Sequence, residues 1–245
     1  MSTIKVVTAK IRGGDLAPGA SPPSTVHLKE RFDASNATVQ KALQLLKDEQ
    51  LVIGRAGASV TVREYRQRTV RPASYMAPAG SGEPYRWLTE AARNGSRAHS
   101  TLLEVAEVVP PADVAEALRL PKSGTAVLRR QLLTMDDEPV EPVELVASYY
   151  PLDIAHGTAM TEPRKIPGGT PTLLAELGHS PRLGVDRVSA RVPTQEQYQA
   201  LRLPGGLPVL RTLRVVHSGD ERPIEATVKV KAGHLYEMQY EFVAE

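Results

Sequence analysis

A segment that recurs within the chain limits its fold more than any other feature of the sequence. Val105 to Pro121, VAEVVPPADVAEALRLP, matches Val188 to Pro204, VSARVPTQEQYQALRLP, at a constant offset of 83 residues, with about half of the positions identical. The similarity continues downstream. Val127-Leu128-Arg129 answers Val209-Leu210-Arg211, and Pro142-Val143-Glu144 answers Pro223-Ile224-Glu225. Each copy reads as strand, short helix, strand, polar turn, strand, with hairpin-like turns at Met135 to Glu138 and Ser218 to Glu221. This internal duplication predicts a single antiparallel sheet with helices packed on one face, an α+β domain. Leu128 and Leu132 alternate with Val127 and Leu133, the pattern of a half-covered sheet.

Ahead of the duplicated region lies a second organised stretch, Ser24 to Leu46. Ser24 and Ser35 are placed to cap two short helices by accepting hydrogen bonds from free backbone N–H groups. Phe32-Asp33-Ala34 leaves room for a tight turn between them. Val39, Ala42, Leu43 and Leu46 recur at i, i+3, i+4, i+7 and form one apolar stripe. The opposite face carries Asn36, Ala37, Gln40, Lys41 and Gln44, which are amides and a cation without a carboxylate. Such a face suits the major groove of DNA, where amides pair with base edges and Lys neutralises phosphate. It also suits a solvated helical hairpin. Ile4, Val7 and Ile11 share a helical face that Gly13-Gly14 terminates. Leu51-Val52-Ile53 and Val60-Thr61-Val62 read as strands around a turn with Arg55 at its tip. One helix, two helices and a hairpin make a winged helix-turn-helix. In it Asn36, Thr38 and Gln40 are the candidates for base reading, and Ser24, Ser35, Lys41 and Arg55 for backbone contact.

Charge distribution agrees with a nucleic-acid-binding head. Residues 1–71 hold 12 Lys and Arg against 6 Asp and Glu, whereas the remainder holds 18 against 22. Hydrophobic content of 41% and charged content of 24% are those of an ordinary globular chain. There is no apolar run of membrane-spanning length and no signal-peptide pattern, so a cytoplasmic location is expected. The absence of cysteine excludes disulfides and thiolate metal sites.

Residues 64–84 change character. Arg63, Arg66, Arg68 and Arg71 give way to Pro72, Pro78, Gly80, Gly82 and Pro84, a density that opposes both helix and strand. The expected division is therefore a DNA-binding domain at 1–63, a linker at 64–84 and a second domain at 85–245. The linker arginines either trail along DNA or merely keep a tether soluble.

The order of motifs at the N-terminus resembles the DNA-binding domain of the GntR family of bacterial transcription regulators. The matching residues are Leu16-Ala17-Pro18-Gly19, Pro23-Ser24, Leu28, Phe32, Ser35, Thr38-Val39, Ala42, Leu43, Gly57 and Val62. Family members usually carry Glu-Arg after Pro-Ser, Arg after the capping Ser and Arg after Thr-Val. Here those places hold Thr25-Val26, Asn36 and Gln40, and Ser59 replaces a wing glycine. The resemblance thus implies an operator unlike the family's usual one, with Lys29, Lys41 and Arg55 supplying the electrostatic grip. Gly168 to Gly178, Ser148-Tyr149-Tyr150-Pro151 and both repeats resemble the UTRA effector-binding domain of the HutC-type subfamily. That implies a chorismate-lyase-like fold, a small-molecule effector and a homodimer formed through this domain.

Within that domain Thr170 is expected to cap a helix with Pro171 at its first turn. By resemblance the effector pocket lies between the sheet and this helix start, bringing Ser100, Arg130, Glu144, Tyr149, Thr170, Thr172 and Glu225 to the ligand. Each of these also fits a structural hydrogen bond. The hydroxyls and two carboxylates suit a polar, hydroxylated or cationic ligand. The Arg-x-Arg pair of phosphate-sensing members falls on Leu132 and Thr134. The six histidines lack metal-ligand spacing, and there is no phosphate loop or nucleophile elbow, so no metal, cofactor or enzymatic activity is expected. The sequence reading is of a dimeric repressor that binds an inverted-repeat operator in double-stranded DNA and is released by an effector. A ligand-independent repressor of the same fold and a chorismate-lyase-like enzyme are the alternatives.

Overall fold

The computed structural model describes residues 5, 7–9, 13–49, 51–54, 60–63, 68–80, 82–136, 140–203 and 206–242. The chain forms two compact units, Met1–Gln67 together with Pro204–Leu207, and Arg68–Leu203 together with Pro208–Glu245.

In the first unit helix α1 spans Thr25–Phe32 and α2 spans Asn36–Asp48. The Ser24 hydroxyl accepts from the His27 N–H and the Ser35 hydroxyl from the Thr38 N–H, each at 3.2 Å. Asp33 closes α1 in a left-handed conformation, φ 45°. That turns the chain sharply enough for α2 to begin three residues later. Leu28, Val39 and Leu46 are buried with Val7 and Val52, and Leu43 packs against them. The apolar stripe of α2 is therefore the inner face. Strands β1 (Val52–Ile53) and β2 (Thr61–Val62) pair antiparallel with Val52 opposite Val62. Val62 also exchanges backbone bonds with Gly19 and Ala20, tying the Leu16–Gly19 turn to the wing. Arg55 and the wing tip lie outside the described residues.

The second unit is built on β4 (Ala98–Val108), β5 (Ala126–Met135), β6 (Glu141–Pro151), β7 (Leu183–Arg191), β8 (Val209–His217) and β9 (Pro223–Ala232). They form one six-stranded sheet in the order β4-β5-β6-β9-β8-β7, antiparallel throughout. The order reads alike from either end. Each half runs strand, helix, strand, strand, and the halves meet along β6 and β9. The helices are α3 (Arg86–Arg93), α4 (Ala112–Ala117), α5 (Leu152–Ala155), α6 (Thr170–Glu176) and α7 (Gln195–Ala200).

The expectation of helices on a single face is corrected here. Val114 and Leu118 of the α4 region pack with Leu128, Tyr149, Leu213 and Ala226. Ile154, Met160 and Leu174, from α5, a 3-10 turn and α6, pack with Val127, Tyr150 and Val216. Neighbouring residues in a strand point to opposite faces, so Val127 with Tyr150 and Leu128 with Tyr149 mark two different faces. Both are covered.

The shared Ala-Leu-Arg-Leu-Pro ends both repeat helices in the same way. Leu120 N–H reaches Ala115 C=O at 2.9 Å, and 83 residues later Leu203 N–H reaches Tyr198 C=O at 3.0 Å. Arg119 and Arg202 occupy the left-handed conformation, φ 54° and 47°, that this termination requires. A non-glycine residue there is strained. Arg202→Gly is therefore expected to stabilise the second unit by about 0.5–1 kcal/mol, after allowing for the freer unfolded chain. A rise in its melting temperature is the check.

Part of the stretch expected as a 64–84 linker is in regular structure, while residues 64–67 and 81 lie outside the described residues. Strand β3 (Arg68–Val70) pairs in parallel with β10 (Tyr236–Met238), and Pro72–Tyr75 forms a 3-10 turn. Thr69 donates to Glu237 at 2.6 Å and Arg71 to Gln239 at 3.0 Å. The pairing partner lies far along the chain, where local composition gives no hint of it.

Candidate functional site

Two features invite chemistry, one in each unit. On α2 the residues Asn36, Thr38, Gln40, Lys41 and Gln44 are all exposed. Asn36, Gln40 and Lys41 have their side chains directed away from the stripe of Val39, Ala42 and Leu46 that holds the helix down. Ser35 and Thr38 bond to each other through their hydroxyls at 2.9 Å. Gln44 donates to Asp48 at 2.9 Å, which leaves the first two turns as the part of this face with freest amides. Ser24 is exposed at the start of α1. This surface has donors, acceptors and a cation but no acid through its first three turns, as a groove-reading helix requires.

The second unit holds a cavity of about 320 Å³. Its floor is the sheet face that bears Arg129, Gln131, Ser148, Glu225, Thr227 and Lys229. The ladder sets these side by side: Arg129 pairs with Ser148, Ser148 with Thr227, and Thr227 with Arg214. Its far wall is Lys165 to Pro171, the approach to α6. Its near wall is Tyr75, Met76 and Pro84, from the segment expected to be a linker, with Tyr85 and Leu88 just after it. Two glycines let these walls close. A Cβ at Gly169 would lie 2.7 Å from the Tyr85 ring, and at φ 82° only glycine is unstrained. A Cβ at Gly184 would collide with the Met76 sulfur. Gly169, not Thr170, is the cap of α6, which leaves the Thr170 hydroxyl free to hydrogen-bond to the Tyr150 oxygen at 2.8 Å.

Polar groups in this cavity are organised around Glu225. One carboxylate oxygen accepts from Ser148 at 3.1 Å, from Tyr150 at 3.2 Å and from Thr227 at 2.5 Å. Burial, then the Glu225 charge, holds the Tyr150 hydroxyl well above its ordinary pKa, so it stays a neutral donor. Burial does the same for Tyr75 and Tyr85. The Ser100 hydroxyl donates to the Gln131 carbonyl oxygen at 2.6 Å, which leaves the Gln131 amide donors for something else. Arg214 is locked to Asp186 by two bonds of 2.7 and 2.8 Å.

Of the pocket residues expected from the sequence, Ser100, Thr170 and Glu225 line the cavity. Four others do not. Arg130 points to the other face and pairs with Glu196 and Glu104. Tyr149 is part of the core beneath α4. Each is the strand neighbour of a residue on the cavity side, and a shift of one position exchanges the faces. Glu144 is on the cavity side but is buried in an ion pair with Lys231. The Thr172 hydroxyl accepts from Ala79 N–H and donates to Gly168 C=O, both at 3.0 Å. Leu132 and Thr134 alternate with the lining residues Gln131 and Leu133. Sequence reasoning missed Arg129, Gln131, Lys229 and the tyrosine wall. The one available signal was Lys229 and Lys231, two lysines on one face of a strand rich in valine. Among the described residues no cluster of three or more His, Asp or Glu could hold a metal ion.

Comparison with known proteins bears on both units. The profile for bacterial regulatory proteins of the gntR family matches residues 4–62, and that for the UTRA domain matches residues 93–237. An uncharacterized HTH-type transcriptional regulator of Streptomyces coelicolor, SCO4628, is 28% identical over 240 residues, covering 95% of this chain and 88% of its own. The HTH-type transcriptional regulator GgaR of Escherichia coli is 23% identical over 236 residues, covering 95% and 86%. A crystal structure assigned to the GntR-family transcriptional regulators superposes with a TM-score of 0.72 at 23% identity, over 99% of this chain and 96% of that one. PhnF from Mycobacterium smegmatis does so with a TM-score of 0.59 at 18% identity, over 99% and 100%. At such identities the solved structures establish the fold.

Proposed function

Because this chain belongs to the gntR family of bacterial regulatory proteins, with a UTRA domain behind its helix-turn-helix head, we propose that it is an effector-released repressor. In this reading it acts in the cytoplasm as a homodimer, setting two copies of α2 into the major grooves of an inverted repeat. Its relatives are transcriptional regulators rather than enzymes. The duplicated sequence of the second unit is read as two copies of one ancestral strand–helix–hairpin element.

One observation carries the effector part. Tyr75, Met76 and Tyr85, which wall the cavity, belong to the stretch of chain that directly follows the head. A ligand filling the cavity touches that stretch, so its binding energy can differ between arrangements of the segment and thereby between arrangements of two heads. Release follows when the ligand favours the arrangement that fits DNA less well. A factor of ten in operator affinity needs about 1.4 kcal/mol of such preference.

Fluorescence anisotropy with DNA from upstream of the protein's own gene tests the reading. Specific binding with a stoichiometry of two chains per site is expected. Binding to no duplex at low salt, or to all duplexes equally, would refute it. On that DNA Gln40→Ala is expected to narrow the gap between operator and unrelated sequence by about 1–3 kcal/mol. Lys41→Ala is expected instead to weaken both alike and to lower the salt slope by about one. The assignment fails when the two variants behave identically.

A further inference from the structure

The walls of the large cavity hold more positive charge than they neutralise. Arg129, Lys165, Arg214 and Lys229 line it against a single carboxylate, Glu225. Arg214 is matched by Asp186. The Glu225 carboxylate is occupied by hydroxyls of Ser148, Tyr150 and Thr227 and makes no ion pair among the described residues. Arg129 is 2% exposed, yet among the described residues its guanidinium hydrogen-bonds only to neutral carbonyls, those of Met160, Glu162 and Arg164 at 2.6–2.9 Å and Ala159 at 3.4 Å. Its Nε is buried without a partner. Lys229 is half-buried on the cavity floor and makes no ion pair within 4.0 Å among the described residues; the Tyr75 ring, 6.0 Å from its nitrogen, is a weak substitute. Two residues on, Lys231 shows what this fold does with a buried cation that has no ligand to meet. It is paired with Glu144. Of the four cations that line the large cavity, Arg129 and Lys229 are buried or half-buried without an ion-pair partner among the described residues, and a buried cation so placed is costly.

On the reading of this cavity as the effector site, we propose that its ligand is an organic anion, a carboxylate or phosphate head at the Lys229 ammonium carried on an apolar body. The body lies against Leu88, Leu102, Leu133, Val146 and the rings of Tyr75 and Tyr85. Gln131, whose amide donors have no partner among the described residues, meets a carbonyl or hydroxyl on it. Inorganic phosphate alone lacks the body that these apolar walls require, and a neutral sugar lacks the head. The cavity is at the small end of the ~300–1,000 Å³ usual for such sites, so the ligand is compact. The charges facing Lys229 support this assignment. Burial first, then Arg214 and, on its own strand, Lys231 make its charged form harder to hold, and Glu144 and Glu225 only partly offset them. An added anion removes that penalty.

Thermal shift and calorimetry on the full chain test the assignment with matched pairs: octanoate and octanamide, phenylacetate and phenylacetamide, phenyl phosphate and phenol, with inorganic phosphate alone. At least one organic anion is expected to raise the melting temperature while its neutral partner does not, and which pair responds tells carboxylate from phosphate. Lys229→Met is expected to weaken that anion at least tenfold and Lys229→Arg to restore it, with circular dichroism confirming that both fold. Equal binding of a neutral partner, full affinity in Lys229→Met, or no response to any anion overturns the proposal. Anisotropy on operator DNA separates this from the effector reading. An anion that binds through Lys229 without changing DNA affinity supports the anion site and sinks the effector role. A neutral compound that releases DNA does the reverse.

Discussion

Lys231→Met is expected to lower the stability of the second unit by about 3–5 kcal/mol, the usual cost of breaking a buried ion pair from one side. Lys231 and Glu144 face each other across β9 and β6, with side chains 5% and 3% exposed. Removing the ammonium leaves a buried carboxylate without its counter-charge, and the Tyr236 ring, 5.3 Å from the lysine nitrogen, offers no charge in exchange. Removing both charges is a different experiment. Glu144→Leu combined with Lys231→Met is expected to recover most of the loss, because the desolvation penalty disappears together with the attraction. Urea unfolding followed through the transition of this unit, separately from that of the head, measures both. A single substitution costing under about 1 kcal/mol would mean that water screens the pair as it does at a surface.

The stability of the same unit is also expected to rise between pH 8 and 10 and to fall beyond. Burial, then the charge of Arg214, pushes Lys229 down to about 8. An unfolded lysine titrates near 10.4, so between those values the unfolded chain holds a proton that the folded unit has released. Stability therefore increases with pH across that window, and below pH 8 the penalty is present in full. A displacement of this size corresponds to roughly 3 kcal/mol as an upper figure. Above pH 10 the buried tyrosines reverse the trend. Tyr75, Tyr85, Tyr150 and Tyr236 are all held above their ordinary range by burial, so the unfolded chain ionises first and stability is lost. Lys229→Met is expected to abolish the rising limb and leave the falling one. A parent profile flat from pH 8 to 10, or a rising limb that survives in the variant, would show that Lys229 is solvated like a surface lysine.

The head was the most legible part of the chain because its determinants are local. Caps at Ser24 and Ser35 and the period of Val39, Ala42 and Leu46 act within a few residues, and the exposed face of α2 is simply what remains. The helix stops at Arg119 and Arg202 are equally local, but no glycine marks them and sequence reasoning did not place them. The cavity was only partly legible. Alternation along β5 and β6 says that Arg129 and Arg130, or Tyr149 and Tyr150, must face opposite ways. It cannot say which way the cavity lies when apolar residues cover both faces. Glu144 matched Glu225 in the repeat, yet one meets Lys231 and the other three hydroxyls, because equivalent backbones receive different neighbours.

By itself, then, the sequence determined the helix-turn-helix with its amide-bearing face and the twofold pattern of strand, helix and hairpin. These depend on periodicity, capping and chirality over a few residues. Only the tertiary structure decided that Arg68–Val70 would join β10, that Tyr75, Met76 and Tyr85 would wall a cavity, and that Lys229 would reach that cavity without a carboxylate. Those outcomes follow from pairings and burial between residues far apart in the chain, and no local pattern records which distant neighbour a side chain will meet.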